Sequence, residues 1–534
     1  MSYFRPISNF KKINGHAVYK KIIRKLCDAG ADKCPTLKTP EKKGIILGVY
    51  EGCNRDPVLS PACSKFNDKL NGKLGDLIAV HGSLFERGQC RVFNNLANEF
   101  WGVAVVGLGP KTLGYNDVEA IDEAREAVRA GAAMGARKLQ EQGIGHILVE
   151  GFGAPEHAAE GSALAVWKYQ ENKARQKWII VPTLELHDDT DHDAWQRGLF
   201  KAEAQNLARR LSDTPANQMT PTAFAQQAVN VLCPCGIKVE VHDKDWIESK
   251  KLNALLTAAR GSCEPPVFIE MTYCGGPSDQ KPICLVGKGV TFDSGGICIK
   301  TAEDLKKYRA DMTGAATVVA VIRAASALSL PLNIIGIAPM AENMPSGMAV
   351  KPGDIVFAAN GKSIAVEHTD HEGQLILADT LVYTQLYHKP RMIIDIASIS
   401  TGIRDCFGTC AAGVFSNNEQ IWQQLSKASV ITGDRVWRLP LWEYFRHKVT
   451  DFESHDVNNL GKGDGEPCMA AGFLSEFIEC MDWAHIDVSG VGKNSVNDLY
   501  PYYPLHRMTG RPTRTLIQFL YQMACPQERD RELK

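Results

Sequence analysis

His368-Thr-Asp-His-Glu-Gly-Gln374 lies within the run 360–379, just ahead of an apolar series with helical character, Leu375, Leu377, Ala378 and Leu381. Asp370 and Glu372 are two residues apart. In extended backbone such residues point to the same side, so both carboxylates can converge on one point. The same alternation puts His368 and Gln374 on that side and turns His371 away. Alone, an acidic pair reads as ordinary solvated surface, but a second stretch changes that.

Upstream runs Leu285-Val-Gly-Lys-Gly-Val-Thr-Phe-Asp-Ser-Gly-Gly-Ile-Cys-Ile-Lys300, followed by Tyr308-Arg-Ala-Asp311. Lys288, Asp293, Lys300 and Asp311 sit in glycine-rich surroundings after the strand-like run 283–286. Glycine lets backbone approach a ligand closely and adopt positive φ. Four carboxylates and one lysine suffice to hold two divalent cations about 3.5–4 Å apart, the spacing of two-metal hydrolases. The charges balance if the ligating lysine is neutral, which needs a pKa strongly depressed by neighbouring metal charge.

These motifs resemble those of the leucyl aminopeptidases, or cytosol aminopeptidases, which are dinuclear zinc or manganese exopeptidases. The resemblance covers nearly the whole chain from Lys42 and includes 44–50, 105–109, 213–221, 265–268, 342–354, 432–440 and 510–516. It implies metal ligation by Lys288, Asp293, Asp311, Asp370 and Glu372, with Asp293 and Glu372 bridging the ions. The reaction it implies is removal of N-terminal, leucine-like residues from peptides by metal-activated water. Lys300 is expected to stabilise the oxyanion. Ser398, Ile399 and Thr401 are the candidates for the substrate pocket and oxyanion contacts.

At 534 residues the chain exceeds what one hydrophobic core usually serves, so two domains are expected. The fold class is α/β: a smaller N-terminal α/β domain and a larger C-terminal α/β/α catalytic domain around a central mixed sheet. Apolar content of 44% and charged content of 23% are those of an ordinary globular protein. A formal net charge of −1 and the lack of a basic stripe give no reason to propose nucleic acid as partner. No apolar stretch of about 18 residues indicates a membrane span. The 16 cysteines are scattered without repeated Cys-x-x-Cys spacing, which favours reduced thiols. Cys298 reads as a buried spectator.

Residues 1–40 read as a basic leader or tail, whose first 27 residues hold seven lysines and arginines and no acidic residue. Val18, Ile22, Ile23 and Leu26 can share one helical face, a composition that favours mitochondrial targeting slightly over a cytoplasmic tail. The first α/β domain, 41–185, is expected to serve assembly, with strands near 44–50, 77–81, 102–107, 146–150 and 177–182 and a long helix over 117–142. A solvated linker at 187–193 and a connecting helix fill 186–212. The metallopeptidase domain occupies 213–534, with strands near 238–242, 267–273, 283–288, 332–338, 354–359, 391–396 and 484–488 and helices over 314–328 and 374–387. By resemblance, the partners are peptide substrates and other subunits, as a homohexamer or a hetero-hexamer with paralogues.

The departures from the family pattern are informative. Gln374 stands where the family has the arginine that holds a bicarbonate ion as general base. A neutral amide lacks the fork of charged donors that fixes a planar anion, which argues against bicarbonate here. Losing a positioned acid–base group costs about 10²–10⁴-fold in rate. His368 replaces an asparagine, His371 an alanine, and Thr401 a glycine, which would be strained if φ there were positive. Gly463-Asp-Gly-Glu-Pro-Cys468 replaces a pocket loop of small and arginine residues and is one residue shorter. Asp464 and Glu466, if they face the pocket, disfavour a leucine side chain. Two readings follow: an aminopeptidase of reduced turnover, or a catalytically inactive assembly protein like some divergent sperm members of the family.

Overall fold

The computed structural model describes residues 42–54, 56–80, 86–307, 311–493, 500–503 and 505–530. The basic stretch 1–40, with the targeting reading attached to it, lies outside the described residues.

The first sheet has six strands. Five run in the order Cys90–Ala97, Phe100–Pro110, Lys43–Glu51, His146–Glu150 and Thr183–His187, and Pro57–Leu59 pairs with Lys43–Glu51. Lys43–Glu51 is parallel to both of its neighbours in that order, and His146–Glu150 is parallel to Thr183–His187. Ile45, Ile46 and Leu47 are all fully buried, as a strand covered on both faces requires. Ile46 shares a core with Ala132, Ala136 and Leu139 of the alanine-rich helix Glu123–Glu141. Ile45 and Leu47 share the opposite core with Phe66, Leu74 and Ile78.

Two strand expectations fail here. Residues 77–80 end the helix Lys73–Val80, where Leu74 and Ile78, four positions apart, bury one face. The strand expected at 177–182 begins only at Thr183, because the inward alternation that pairs with His146–Glu150 is carried by Leu184 and Leu186. Nor is the acidic–histidine run 187–193 a mere solvated linker. His187 ends a strand, Asp188 pairs with Lys65, and Asp191 caps the helix His192–Asp213 by accepting the Ala194 N–H at 2.9 Å.

The second sheet has nine strands and is mixed. Eight run in the order Val436–Arg438, Ala412–Ser416, Trp483–Asp487, Met392–Ala397, Ile283–Gly287, Asn333–Asn343, Val267–Cys274 and Lys238–His242, while Gly289–Asp293 pairs further along Asn333–Asn343. The centre is parallel; Val267–Cys274 is antiparallel to both its neighbours. Helix Thr313–Ala327 shares the core of one face and helix Glu372–His388 that of the other. Lys288, Asp293, Ser398 and Ser489 therefore all stand at the carboxyl ends of parallel strands, where open α/β sheets place their crevices. No helix among the described residues is long and apolar enough to cross a membrane.

The two halves are joined by buried charge. Glu160, on the helix Pro155–Val166, is fully buried, and its Oε2 accepts from Arg129 Nη1 at 3.2 Å and from Arg514 Nη1 at 3.0 Å. Arg514 lies on the helix Thr513–Ala524 and also donates to Gln205 Oε1 at 2.7 Å. Burial alone would raise the Glu160 pKa, but His157, Arg514 and Arg129 hold it well below the usual carboxylate range. Removing one partner of such a network strands the others as uncompensated buried charge. Glu160→Ala is therefore expected to lower unfolding stability by about 3–5 kcal/mol, read as a lower urea midpoint with the far-ultraviolet dichroism preserved. An unchanged midpoint would show that the joint does not depend on this carboxylate.

Candidate metal centre

The strand Ile283–Gly287 ends in the middle of the second sheet and delivers Lys288 to its edge. The chain moves over to pair with Asn333–Asn343 and delivers Asp293. It then turns through Gly295 and Gly296, both at positive φ, and closes when the Lys300 N–H donates to the Ser294 carbonyl at 2.9 Å. Asp311 stands just before the helix Thr313–Ala327, and Glu372 is the first residue of Glu372–His388. Both carboxylates thus sit at the positive ends of helix dipoles.

Distant residues of the chain meet here. Asp293, Asp370 and Glu372 each offer an oxygen within 4.8 Å of the others. Lys288 Nζ lies 2.5 Å from Asp311 Oδ2, 2.8 Å from Glu372 Oε1 and 2.8 Å from the Ser398 carbonyl. Lys300 Nζ pairs with Asp293 Oδ2 at 2.9 Å and with Asp370 Oδ1. Ser398 Oγ donates to Asp311 Oδ1. Lys288, Asp293, Lys300, Asp311, Asp370 and Ser398 line a cavity of about 510 Å³ together with Ile399 and Thr401, and Glu372 adjoins that lining through Lys288.

Burial and the adjacent Asp293 push Glu372 up to about 8 and Asp370 up to about 7. Burial raises Asp311 as well. Burial alone would lower the Lys288 pKa, but the carboxylates of Asp311, Glu372 and Asp293 raise it well above the usual lysine range. With carboxylates alone around it, Lys288 is therefore an ammonium, and acting as a neutral ligand requires it to lose that proton. The donor set still fits divalent cations. Oxygen-rich carboxylate clusters suit hard or borderline dications, and the buried Glu372 Oε2 has no hydrogen-bond partner.

Other expectations need correcting. The backbone at 368–374 is not extended: 369–370 form a turn and the helix begins at 372. Strand alternation therefore does not govern this segment. His371 faces the cavity together with His368, their ring centroids 4.6 Å apart, instead of turning away. Gln374 is buried, does not line the cavity, and leaves its Oε1 without a hydrogen-bond partner among the described residues. Thr401 opens the helix Thr401–Phe407 at ordinary negative φ, so it carries no backbone strain. Cys298 is half-buried and lies off the cavity wall.

Sequence reading missed Asn343, whose Nδ2 donates to Asp293 Oδ1 at 2.9 Å and to the Thr369 carbonyl at 3.1 Å, tying the two acidic segments together. Its lone signal was a place inside the matched segment 342–354.

The sequence profile of the Cytosol aminopeptidase family, catalytic domain, matches residues 206–517, and that of the family's N-terminal domain matches 46–176. The chain is 45% identical to the cytosol aminopeptidase of Bos taurus over 488 residues, covering 90% of this chain and 93% of that one. It is 36% identical to the cytosol aminopeptidase of Dictyostelium discoideum over 497 residues, covering 91% and 94%. Among solved structures it is similar to the bottromycin maturation enzyme BotP in complex with Mn, with a TM-score of 0.77, 28% identity and coverage of 91% of this chain and all of that one.

Two outcomes follow from the geometry. A Cβ at Gly373 would lie 2.9 Å from both Cε and Nζ of Lys288. Gly373→Ala should therefore push the lysine aside and weaken Mn²⁺ binding, measured by titration calorimetry, by about tenfold or more; undiminished affinity would remove Lys288 from the donor set. Because Glu372 and Asp370 take up protons near pH 8 and 7, Mn²⁺ affinity should fall as pH drops from 8 to 6. With ordinary carboxylates, loss of the single Lys288 proton would be the remaining source of pH dependence, and the fall would be correspondingly shallower.

Proposed function

The chain belongs to the cytosol aminopeptidase family of metal-dependent peptidases, and we propose that it removes N-terminal residues from peptides at a dinuclear centre held by Lys288, Asp293, Asp311, Asp370 and Glu372. The observation that supports this reading is the meeting of Lys288, Asp293, Asp311 and Asp370 in one cavity lining with Glu372 packed against Lys288, its Oε2 without a hydrogen-bond partner among the described residues. When bound, paired Zn²⁺ or Mn²⁺ ions supply a polarised peptide carbonyl and a water acidic enough to attack near neutral pH. The protein's own groups do the rest. Lys300 Nζ, on the cavity wall, sets a fixed positive charge beside the carbonyl oxygen as it gains negative charge. Ser398 orients Asp311 through its hydroxyl and Lys288 through its carbonyl. Asn343 and the Gly295 N–H hold Asp293 Oδ1, each at 2.9 Å.

Gln374 sets the rate. Its neutral amide offers no charged fork to a basic anion, so turnover is reduced by roughly the 10²–10⁴-fold worth of a positioned base. A second reading, a catalytically inactive protein with an assembly role, is favoured by the same residue, which lies outside the cavity lining. Assembly into a homohexamer, or a hetero-hexamer with paralogues, and a mitochondrial location over a cytoplasmic one are proposed with either reading. They are supported by the family resemblance and by the basic composition of 1–27.

The test is hydrolysis of leucyl-p-nitroanilide by purified, Mn²⁺-loaded protein. Slow release is expected, together with a gain of at least about tenfold in kcat for Gln374→Arg when bicarbonate is added. No release by either protein, at full metal occupancy, would leave the assembly role.

A further inference from the structure

Leu460, Gly461, Gly463, Glu466 and Met469 line the same cavity, and Glu466 brings the one carboxylate among them. Glu466 is the first residue of the helix Glu466–Ser475, placed there by Gly465 at φ +98° and Pro467. Its side chain lines the cavity and is 36% exposed. Glu466 Oε2 accepts from Thr401 Oγ1 at 3.4 Å, and Oε1 lies 3.9 Å from His371 Nε2.

That histidine does not neutralise it in the neutral ring. His371 Nδ1 lies 2.9 Å from the Asn459 carbonyl, which can only accept, so Nδ1 carries the proton and Nε2 is left as an acceptor facing a carboxylate. The nearby loop cations are engaged elsewhere. Lys448 Nζ donates to the carbonyls of Lys462 and Asp464 at 3.1 and 3.3 Å, and Lys462 Nζ donates to the Asp451 carbonyl. Lys288 and Lys300, also on the cavity surface, are held by the metal-centre carboxylates. Asp464 is not among the lining residues, so among the described residues of 460–469 Glu466 alone supplies negative charge to the cavity.

Leu460 and Met469 also line the cavity and give an apolar wall. An apolar stretch ending at an unneutralised carboxylate matches the long methylene stem and terminal charge of lysine or arginine. A leucine side chain would desolvate that carboxylate and return nothing.

Resting on the peptidase reading above, we propose that Glu466 makes this cavity select peptides whose first residue is basic. Lysine and norleucine have side chains with the same four-carbon stem and differ in the terminal charge, so the pair isolates the contribution of Glu466. With Mn²⁺-loaded protein at pH 8, kcat/KM for lysyl-p-nitroanilide should exceed that for the norleucyl substrate by at least about fivefold. Glu466→Gln should reverse or abolish that ratio. Calorimetric binding of lysinamide against norleucinamide gives the same comparison without turnover. Preferential lysinamide binding with no hydrolysis would sink the catalytic reading and keep the selectivity. Equal handling of the two side chains by the wild type, or a ratio indifferent to Glu466→Gln, would overturn the selectivity whether or not the protein is a peptidase.

Discussion

Four carboxylates confined in a nearly dry space govern this molecule. Asp293, Asp311 and Glu372 are buried and Asp370 is largely so. At an effective dielectric of about 20, two such charges 4 Å apart repel by about 4 kcal/mol. Nothing in an apolar core would tolerate that arrangement uncompensated. Lys288 and Lys300 compensate it in part, each bridging two of the acids, and burial together with the repulsion of Asp293 still raises the Asp370 and Glu372 pKa values. The cluster is thus an electrostatic mould for divalent cations, in which protons and lysine ammoniums are the lower-charge alternatives.

The fold meets the geometric demand with means visible along the backbone. Parallel strands bring their carboxyl ends to one edge, so residues 110 positions apart, Lys288 and Ser398, come to the same wall. Two helices begin at the cluster and point their positive ends at it. Gly373 clears the space that Lys288 occupies, and Asn343 fastens the Asp293 turn to the 369–370 turn. The buried Glu160 network holds the N-terminal sheet and its helices to the catalytic half through Arg514.

Around this mould, the residues that the family resemblance marks as unusual occupy different places. Gln374 is buried and off the cavity lining. His368, His371 and Glu466 line the cavity. The side chains that gather as candidate donors are therefore largely distinct from those that shape the rest of the cavity. Thr401, where a glycine is expected, is conformationally ordinary because a helix starts there.

The sequence alone was enough for the α/β class and the two-domain organisation. Through its resemblance to a known family it also singled out Lys288, Asp293, Asp311, Asp370 and Glu372, five side chains that the fold brings together. It was also enough to place the long, strongly periodic helices and six strands of the second sheet, but not Gly289–Asp293, Ala412–Ser416 or Val436–Arg438. It misplaced the segments at 77–81 and 177–182, because short apolar runs fit a helix, a strand or an exposed loop equally well until their neighbours are known. Tertiary structure alone decided which way His371, Gln374, Asp464 and Glu466 face. A single helix start at 372 replaced the two-residue alternation of a strand with a helical turn, and the direction of a side chain follows backbone geometry that is set by packing, not by the identity of the residue itself.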